Sequence, residues 1–112
     1  MRKNTIITLT IIILIIFLVI YIKTRNPAEV NQELAKCIGE NSILYSQIGC
    51  IHCEKQKELF GESVQFLNIY ECNNNWTYCD EKGITGTPTW IINEKKYIGV
   101  QDIKTLKDLT GC

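Results

Sequence analysis

The sequence predicts an α/β domain preceded by one transmembrane helix. Three observations lead there. The run "TIITLTIIILIIFLVIYI", Thr5 to Ile22, contains no charge, and at about 1.5 Å per residue it matches the hydrocarbon thickness of a bilayer. After it, segments of helical and of strand-like periodicity alternate. Finally, Cys50-Ile51-His52-Cys53 stands between the first strand-like run and the helix that follows.

The apolar run reads as an anchor, because Lys23, Thr24 and Arg25 stand where a signal peptidase would require small residues. This divides the chain into a cytoplasmic stub and signal anchor at 1–25 and a second domain at 26–112. Asn26-Pro27 opens a polar connector. In "PAEVNQELAKCIGE", Val30, Leu34 and Cys37 or Ile38 fall at helical spacing up to Gly39. "SILYSQI" is short and rich in apolar residues, as expected of a buried strand. "CEKQKELFG" returns to helical composition and stops at Gly61, and "SVQFLNIY" alternates as a second strand.

"ECNNNWTYCDEKG" is a polar loop entering a short helix, with Asn74 or Asn75 as its cap and Gly83 as its stop. "TPTWIINEKKYIGV" folds as a hairpin about Asn93-Glu94-Lys95-Lys96. In "DIKTLKDLTGC", Asp102 caps a helix with an apolar stripe of Ile103, Leu106 and Leu109, ending at Gly111. The expected order after the anchor is α-β-α-β-α-β-β-α.

Charge narrows the function. The chain is neutral overall, yet residues 26–112 carry eight Lys and no Arg against all 12 Asp and Glu, a net charge of −4. That argues against nucleic acid or an anionic lipid surface as the main partner of this domain, since both require clustered positive charge. All six cysteines follow the anchor, which suits an oxidising compartment. A single-pass cell-membrane protein with an extracytoplasmic C-terminal domain is expected.

This order, with Cys-x-x-Cys after the first strand and Gly83-x-x-Gly86-Thr87-Pro88-Thr89 before the hairpin, resembles the thioredoxin superfamily. The resemblance covers residues 28 to 112. It implies the thioredoxin fold, a central mixed sheet flanked by helices, and a cis-proline at Pro88 facing the cysteine pair. On "LAKCIGENSILYSQIGCIHCEKQKELFG", "YECNNN", "GITGTPTWIINEKKYIGVQ" and "LKDLTG" the chain is most similar to the thioredoxin-like domains that accompany vitamin K epoxide reductase homologues. That likeness implies a separate, membrane-anchored protein exchanging disulfides with a quinone-linked membrane partner. Three positions depart from the superfamily pattern: Leu44 replaces a buried carboxylate thought to assist proton transfer, Gly49 a common Trp, and Ile51 a common Pro.

The chemistry follows from residue types. Exchange requires a thiolate, and a free cysteine with a pKa near 8.5 is only a few per cent ionised at neutral pH. Cys50, at the first turn of a helix, meets unpaired N–H groups and the positive dipole end, so it is the attacking sulfur. Cys53, about one turn further in, is the resolving sulfur. His52 beside Cys50 adds to thiolate stabilisation, which favours an oxidising poise of about −120 to −220 mV. Thr87 and Pro88 are the expected substrate-binding pair, offering strand-like hydrogen bonds to an extended segment. No cofactor is called for beyond the redox-active disulfide itself.

Four cysteines remain. Position favours Cys72 with Cys79, pinning the Asn-rich loop, and Cys37 with Cys112, joining the ends of the first and last helices, among the fifteen pairings that six cysteines allow. A second dithiol at Cys72 and Cys79 relaying electrons is the functional alternative. A zinc site of Cys50, Cys53, Cys72 and Cys79 is another, with a Cys-x6-Cys half wider than common zinc spacings. Trp90 reads as core, and Trp76 as a contact residue or a loop cover. Asn75-Trp76-Thr77 fits a glycosylation sequon.

The reading is therefore a membrane-anchored thiol-disulfide oxidoreductase that forms disulfides in exported proteins. A reductase or isomerase with the same site is the enzymatic alternative. The other is a non-catalytic, disulfide-stapled or zinc-binding docking domain.

Overall fold

A computed structural model describes residues 1–24 and 30–112. The polar connector at Asn26-Pro27 and the boundary between residues 25 and 26 lie outside the described residues. Helix α1, Arg2–Thr24, is long and apolar enough to cross a membrane by length and composition; a signal sequence has the same character.

The domain then runs through α2 (Gln32–Glu40), β1 (Ser42–Ser46), α3 (Ile51–Glu58), β2 (Ile69–Glu71), α4 (Trp76–Glu81), β3 (Thr89–Ile92), β4 (Lys95–Ile98) and α5 (Ile103–Thr110). Short 3-10 turns at Gly61–Phe66 and Cys72–Asn74 flank β2. The sheet order is β2-β1-β3-β4, with β1 parallel to β2 and the other neighbours antiparallel. A mixed sheet in this order, with helices packed on it and a cis Thr87-Pro88 bond before β3, is the thioredoxin-like fold.

Strand alternation divides the core in two. Leu44, Trp90 and Ile92 point to the face where Ala35 and Ile38 of α2, Phe60 after α3, and Leu106 of α5 pack. Ile43, Tyr45 and Ile91 point to the other face, against Cys72, Cys79 and Ile84. Each principal helix start has a polar cap. Asn31 Oδ1 accepts from Leu34 N–H, Asn75 Oδ1 from Tyr78 N–H, and Asp102 Oδ1 from Thr105 N–H. Hydrogen bonds from Thr105, backbone first and then side chain, hold the Asp102 carboxyl below its ordinary value.

Two expectations are corrected. Residues 63–70 are not one strand: Gly61–Phe66 forms a 3-10 turn, and only Ile69–Glu71 pairs with β1. α2 lies so close that Gly39 abuts the Phe66 carbonyl, and buried Ser63 donates to the Val30 carbonyl. These contacts draw the segment against α2, and the alternation of Val64 and Phe66 is satisfied by packing on the core from a turn. The hairpin turn is also tighter than the four residues expected. Asn93 and Glu94 alone make it, at φ 50° and 64°, as a two-residue turn with both centres left-handed requires. Lys95 and Lys96 already belong to β4.

Candidate active site

β1 ends at Ser46, and the chain must reverse before α3 can begin. Gly49, at φ 82°, takes the left-handed turn, and Cys50 N–H donates to the Gln47 carbonyl at 3.2 Å. The turn is held from outside as well, because Ile48 N–H donates to Asn73 Oδ1 at 2.6 Å.

Cys50 is the N-cap of α3, one position earlier than the first-turn placement expected from sequence. Its Sγ accepts a hydrogen bond from Cys53 N–H at 3.1 Å, so the sulfur itself satisfies one of the free amides of the helix start. Cys50 is half-buried, whereas Cys53 is wholly buried. The two are joined as a disulfide, with Cα atoms 5.2 Å apart. The same amide dipoles that cap the helix stabilise negative charge on Cys50 Sγ when the bond opens.

The Gly86–Thr89 loop faces this sulfur. The Thr87 carbonyl oxygen lies 3.5 Å and Thr87 Oγ1 3.7 Å from Cys50 Sγ. Thr87 Oγ1 also reaches Gln47 Oε1 at 3.5 Å. Two contacts fix the loop: Thr89 Oγ1 donates to the Gly86 carbonyl at 2.7 Å, and Gly99 N–H donates to the Pro88 carbonyl at 2.8 Å. Exposed Ile48, Ile51 and Ile98, each about two-thirds or more accessible, flank the cysteine turn and the Pro88 loop with apolar surface.

His52 is on the exposed side of the first turn, and no hydrogen bond ties it to either sulfur among the described residues. Leu44, six residues before Cys50, is fully buried. Cys72 and Cys79 are bonded and both fully buried, and Cys37 is bonded to Cys112 with Cα atoms 6.0 Å apart. Every cysteine is thus paired. Among the described residues no group of three or more His, Cys, Asp or Glu is arranged to hold a metal. Trp90 is buried; Trp76 is half-exposed at the start of α4.

The sequence reading missed Gln56, three positions beyond Cys53. It is completely buried in α3, and its amide joins three elements. Gln56 Oε1 accepts from Trp90 Nε1 at 2.9 Å and from Gln101 N–H at 2.7 Å, while Nε2 donates to the Gln101 carbonyl at 3.0 Å. It thereby ties the cysteine helix to β3 and to the segment before α5. Nothing in the polar string "CEKQKE" marks this one residue as internal. Lys57 was also passed over: its Nζ lies 2.8 Å from Glu71 Oε1 and 3.5 Å from Glu54 Oε1. Burial alone would lower the Lys57 pKa, but the hydrogen bonds and charges of Glu71 and Glu54 outweigh it and raise it.

No known family model matches the chain. It is 37% identical to "Thiol-disulfide oxidoreductase LTO1" of Arabidopsis thaliana, over 63% of this chain and 22% of that protein. The chain therefore corresponds to about a fifth of that relative's length. Two solved structures are similar to it. Oxidised thioredoxin from Plasmodium falciparum shares 15% identity at a TM-score of 0.48, covering 75% of this chain and 92% of the other. A mutant thioredoxin from Halobacterium salinarum shares 19% identity at a TM-score of 0.47, covering 73% of this chain and 83% of the other.

Proposed function

We propose that the chain is a thiol-disulfide oxidoreductase whose Cys50–Cys53 pair cycles. The observation that carries this is the setting of Cys50 Sγ: half-accessible, at a helix N-cap, hydrogen-bonded by Cys53 N–H and faced by Thr87. Cys72–Cys79 lacks such access, being wholly buried, and Cys37–Cys112 ties helix ends without a comparable helix-start amide. The printed name of the Arabidopsis relative agrees with this activity.

In the forward reaction a substrate thiolate attacks Cys50 Sγ, the Cys50–Cys53 bond breaks, and Cys53 leaves as the thiol or thiolate. A second substrate thiolate then attacks the substrate sulfur of the mixed disulfide, leaving the substrate oxidised and the pair reduced. Thr87 and Pro88 border the place where the substrate chain lies, and the rim of Ile48, Ile51 and Ile98 suits an incompletely folded polypeptide with exposed apolar side chains. The imidazole of His52, exposed beside Cys50, adds modestly to stabilisation of the thiolate. Membrane attachment through α1, an extracytoplasmic domain, exported substrates and reoxidation by a quinone-linked partner of the vitamin K epoxide reductase type complete the proposal. They rest on the apolar helix, the three disulfides and the resemblance.

The test is disulfide transfer to a reduced, unfolded secretory protein. Cys50→Ala abolishes transfer, whereas Cys79→Ala retains it; loss of transfer in neither variant would reject the assignment.

A further inference from the structure

Resting on that reading, the reoxidation half of the cycle raises a need that the described site does not meet. Once Cys50 is joined to a partner sulfur, Cys53 must lose its proton before it can attack, and it is wholly buried away from solvent.

Two orphaned atoms meet that need. Among the described residues, Ser46 Oγ and Glu71 Oε2 are the buried side-chain oxygens or nitrogens without a hydrogen-bond partner. They are also neighbours: Ser46 and Glu71 stand opposite each other in the parallel β1–β2 register, so their side chains leave the same face of the sheet. Leu44, two residues before Ser46, fixes that face as the one with Trp90 and Phe60. Both residues sit at the C-terminal ends of their strands, the end from which the chain turns into Cys50.

α3 covers this place. Cys53 and Lys57 are four residues apart and so share one side of the helix. Lys57 Nζ holds Glu71 Oε1 at 2.8 Å, which brings the Cys53 side of α3 over the Glu71 carboxylate. One carboxylate oxygen is thus committed to the lysine and the other is shielded, acceptor-competent and unclaimed. A fully buried Ser46 hydroxyl without a hydrogen-bond partner is unusual in a small domain, because an unsatisfied buried polar group is destabilising.

We propose that Glu71 is the proton acceptor for Cys53, with Lys57 orienting its carboxylate and Ser46 opposite it in the strand register. In the step, the Cys53 thiol gives its proton to the Glu71 carboxylate and the Cys53 thiolate attacks Cys50 Sγ. The Cys50–Cys53 bond forms, the bond from Cys50 to the partner sulfur breaks, and the electron pair leaves on the partner as a thiolate. That thiolate, or solvent, then takes the proton from Glu71. The dithiol loses two electrons and the partner disulfide gains them, so no further reactant is needed. Among the described residues the charged groups facing Glu71 are Lys57 directly and Glu54 through Lys57, both on α3; β1 places Ser46 opposite it.

The experiment uses the reduced full-length protein in detergent with glutathione disulfide as oxidant, following the Cys50–glutathione adduct by acid quench and mass spectrometry. In Glu71→Gln the adduct persists at least about tenfold longer at neutral pH. The difference narrows as pH rises, because hydroxide removes the Cys53 proton without help from Glu71. Glu71→Asp, a poorer fit but still a carboxylate, retains more of the rate than Glu71→Gln. Equal lifetimes in wild type and Glu71→Gln would overturn the proposal, and so would Glu71→Asp being slower than Glu71→Gln, which is the ranking of a shape effect. If Cys53→Ser accumulates no adduct at Cys50, the oxidoreductase reading itself fails, a result distinct from either.

Discussion

Asn73 holds the turn that precedes Cys50. Its Oδ1 accepts from Ile48 N–H at 2.6 Å, and the 3-10 turn that carries it, Cys72–Asn74, is closed by the Cys72–Cys79 bond. A buried disulfide on one face of the sheet therefore braces the loop of another. Asn73→Ala should lower stability by about 1 kcal/mol and raise the rate at which Gly49 and Cys50 amides exchange with solvent deuterium. Unchanged exchange there would show that the turn stands without the bond.

Substitution at Gln56 is costly because one buried amide serves both Trp90 and Gln101. Gln56→Ala leaves the Trp90 indole N–H and the Gln101 N–H without their shared acceptor and opens a cavity. The two effects together amount to about 3 kcal/mol or more. Gln56→Glu supplies an acceptor for both donors but takes away the donor to the Gln101 carbonyl, and it buries a charge. Urea denaturation of the two variants should rank Glu between Gln and Ala at high pH.

The Lys57–Glu71 pair gives stability a signature at alkaline pH. Because the folded pKa of Lys57 is raised above its ordinary value, folding favours the protonated amine. The contribution is complete below the unfolded value and is lost as pH rises through the higher folded one. Wild type should thus lose stability over that interval more steeply than Lys57→Met. Parallel curves of stability against pH would contradict the pairing.

His52 should matter little to structure and modestly to reactivity. His52 is exposed and no hydrogen bond ties it to either sulfur among the described residues, so it acts on Cys50 through solvent, whereas the Cys53 amide touches the sulfur at 3.1 Å. His52→Ala should slow alkylation of Cys50 in the reduced protein by about threefold or less, which is within the energy of an exposed charge at a helix end. Added salt should shrink the difference. A loss of tenfold or more would mean that the imidazole reaches the thiolate once the disulfide opens.

The two outer disulfides differ in what they stabilise. By chain entropy, closing the long loop between Cys37 and Cys112 contributes up to about 4.5 kcal/mol, and the short Cys72–Cys79 ring about 2.5 kcal/mol. Thermal unfolding of Cys112→Ser and Cys79→Ser should show the larger fall for the first.

The elements were legible in sequence where local chemistry and tertiary environment agree. Asn75, Asp102 and Gly111 carry their cap or stop in their own residue type, and Cys50 and Pro88 belong to motifs with fixed spacing. Legibility failed where tertiary contact decided. Val64 and Phe66 alternate as a strand would, but the approach of α2 at Gly39 turns them into a 3-10 segment. Gln56 and Lys57 lie in a string of polar residues whose inner and outer members look alike. Glu71 and Ser46 are separated by 25 residues and meet only through the register of β1 with β2.

The bond from Cys37 to Cys112 makes the backbone between them a covalent ring, with Cys50–Cys53 and Cys72–Cys79 as smaller rings inside it. A protease that nicks one peptide bond anywhere in that stretch, whether at the exposed Asn93-Glu94 turn or in the Asn-rich loop, yields no separate fragment. The cut molecule gains the mass of one water and comes apart only on reduction.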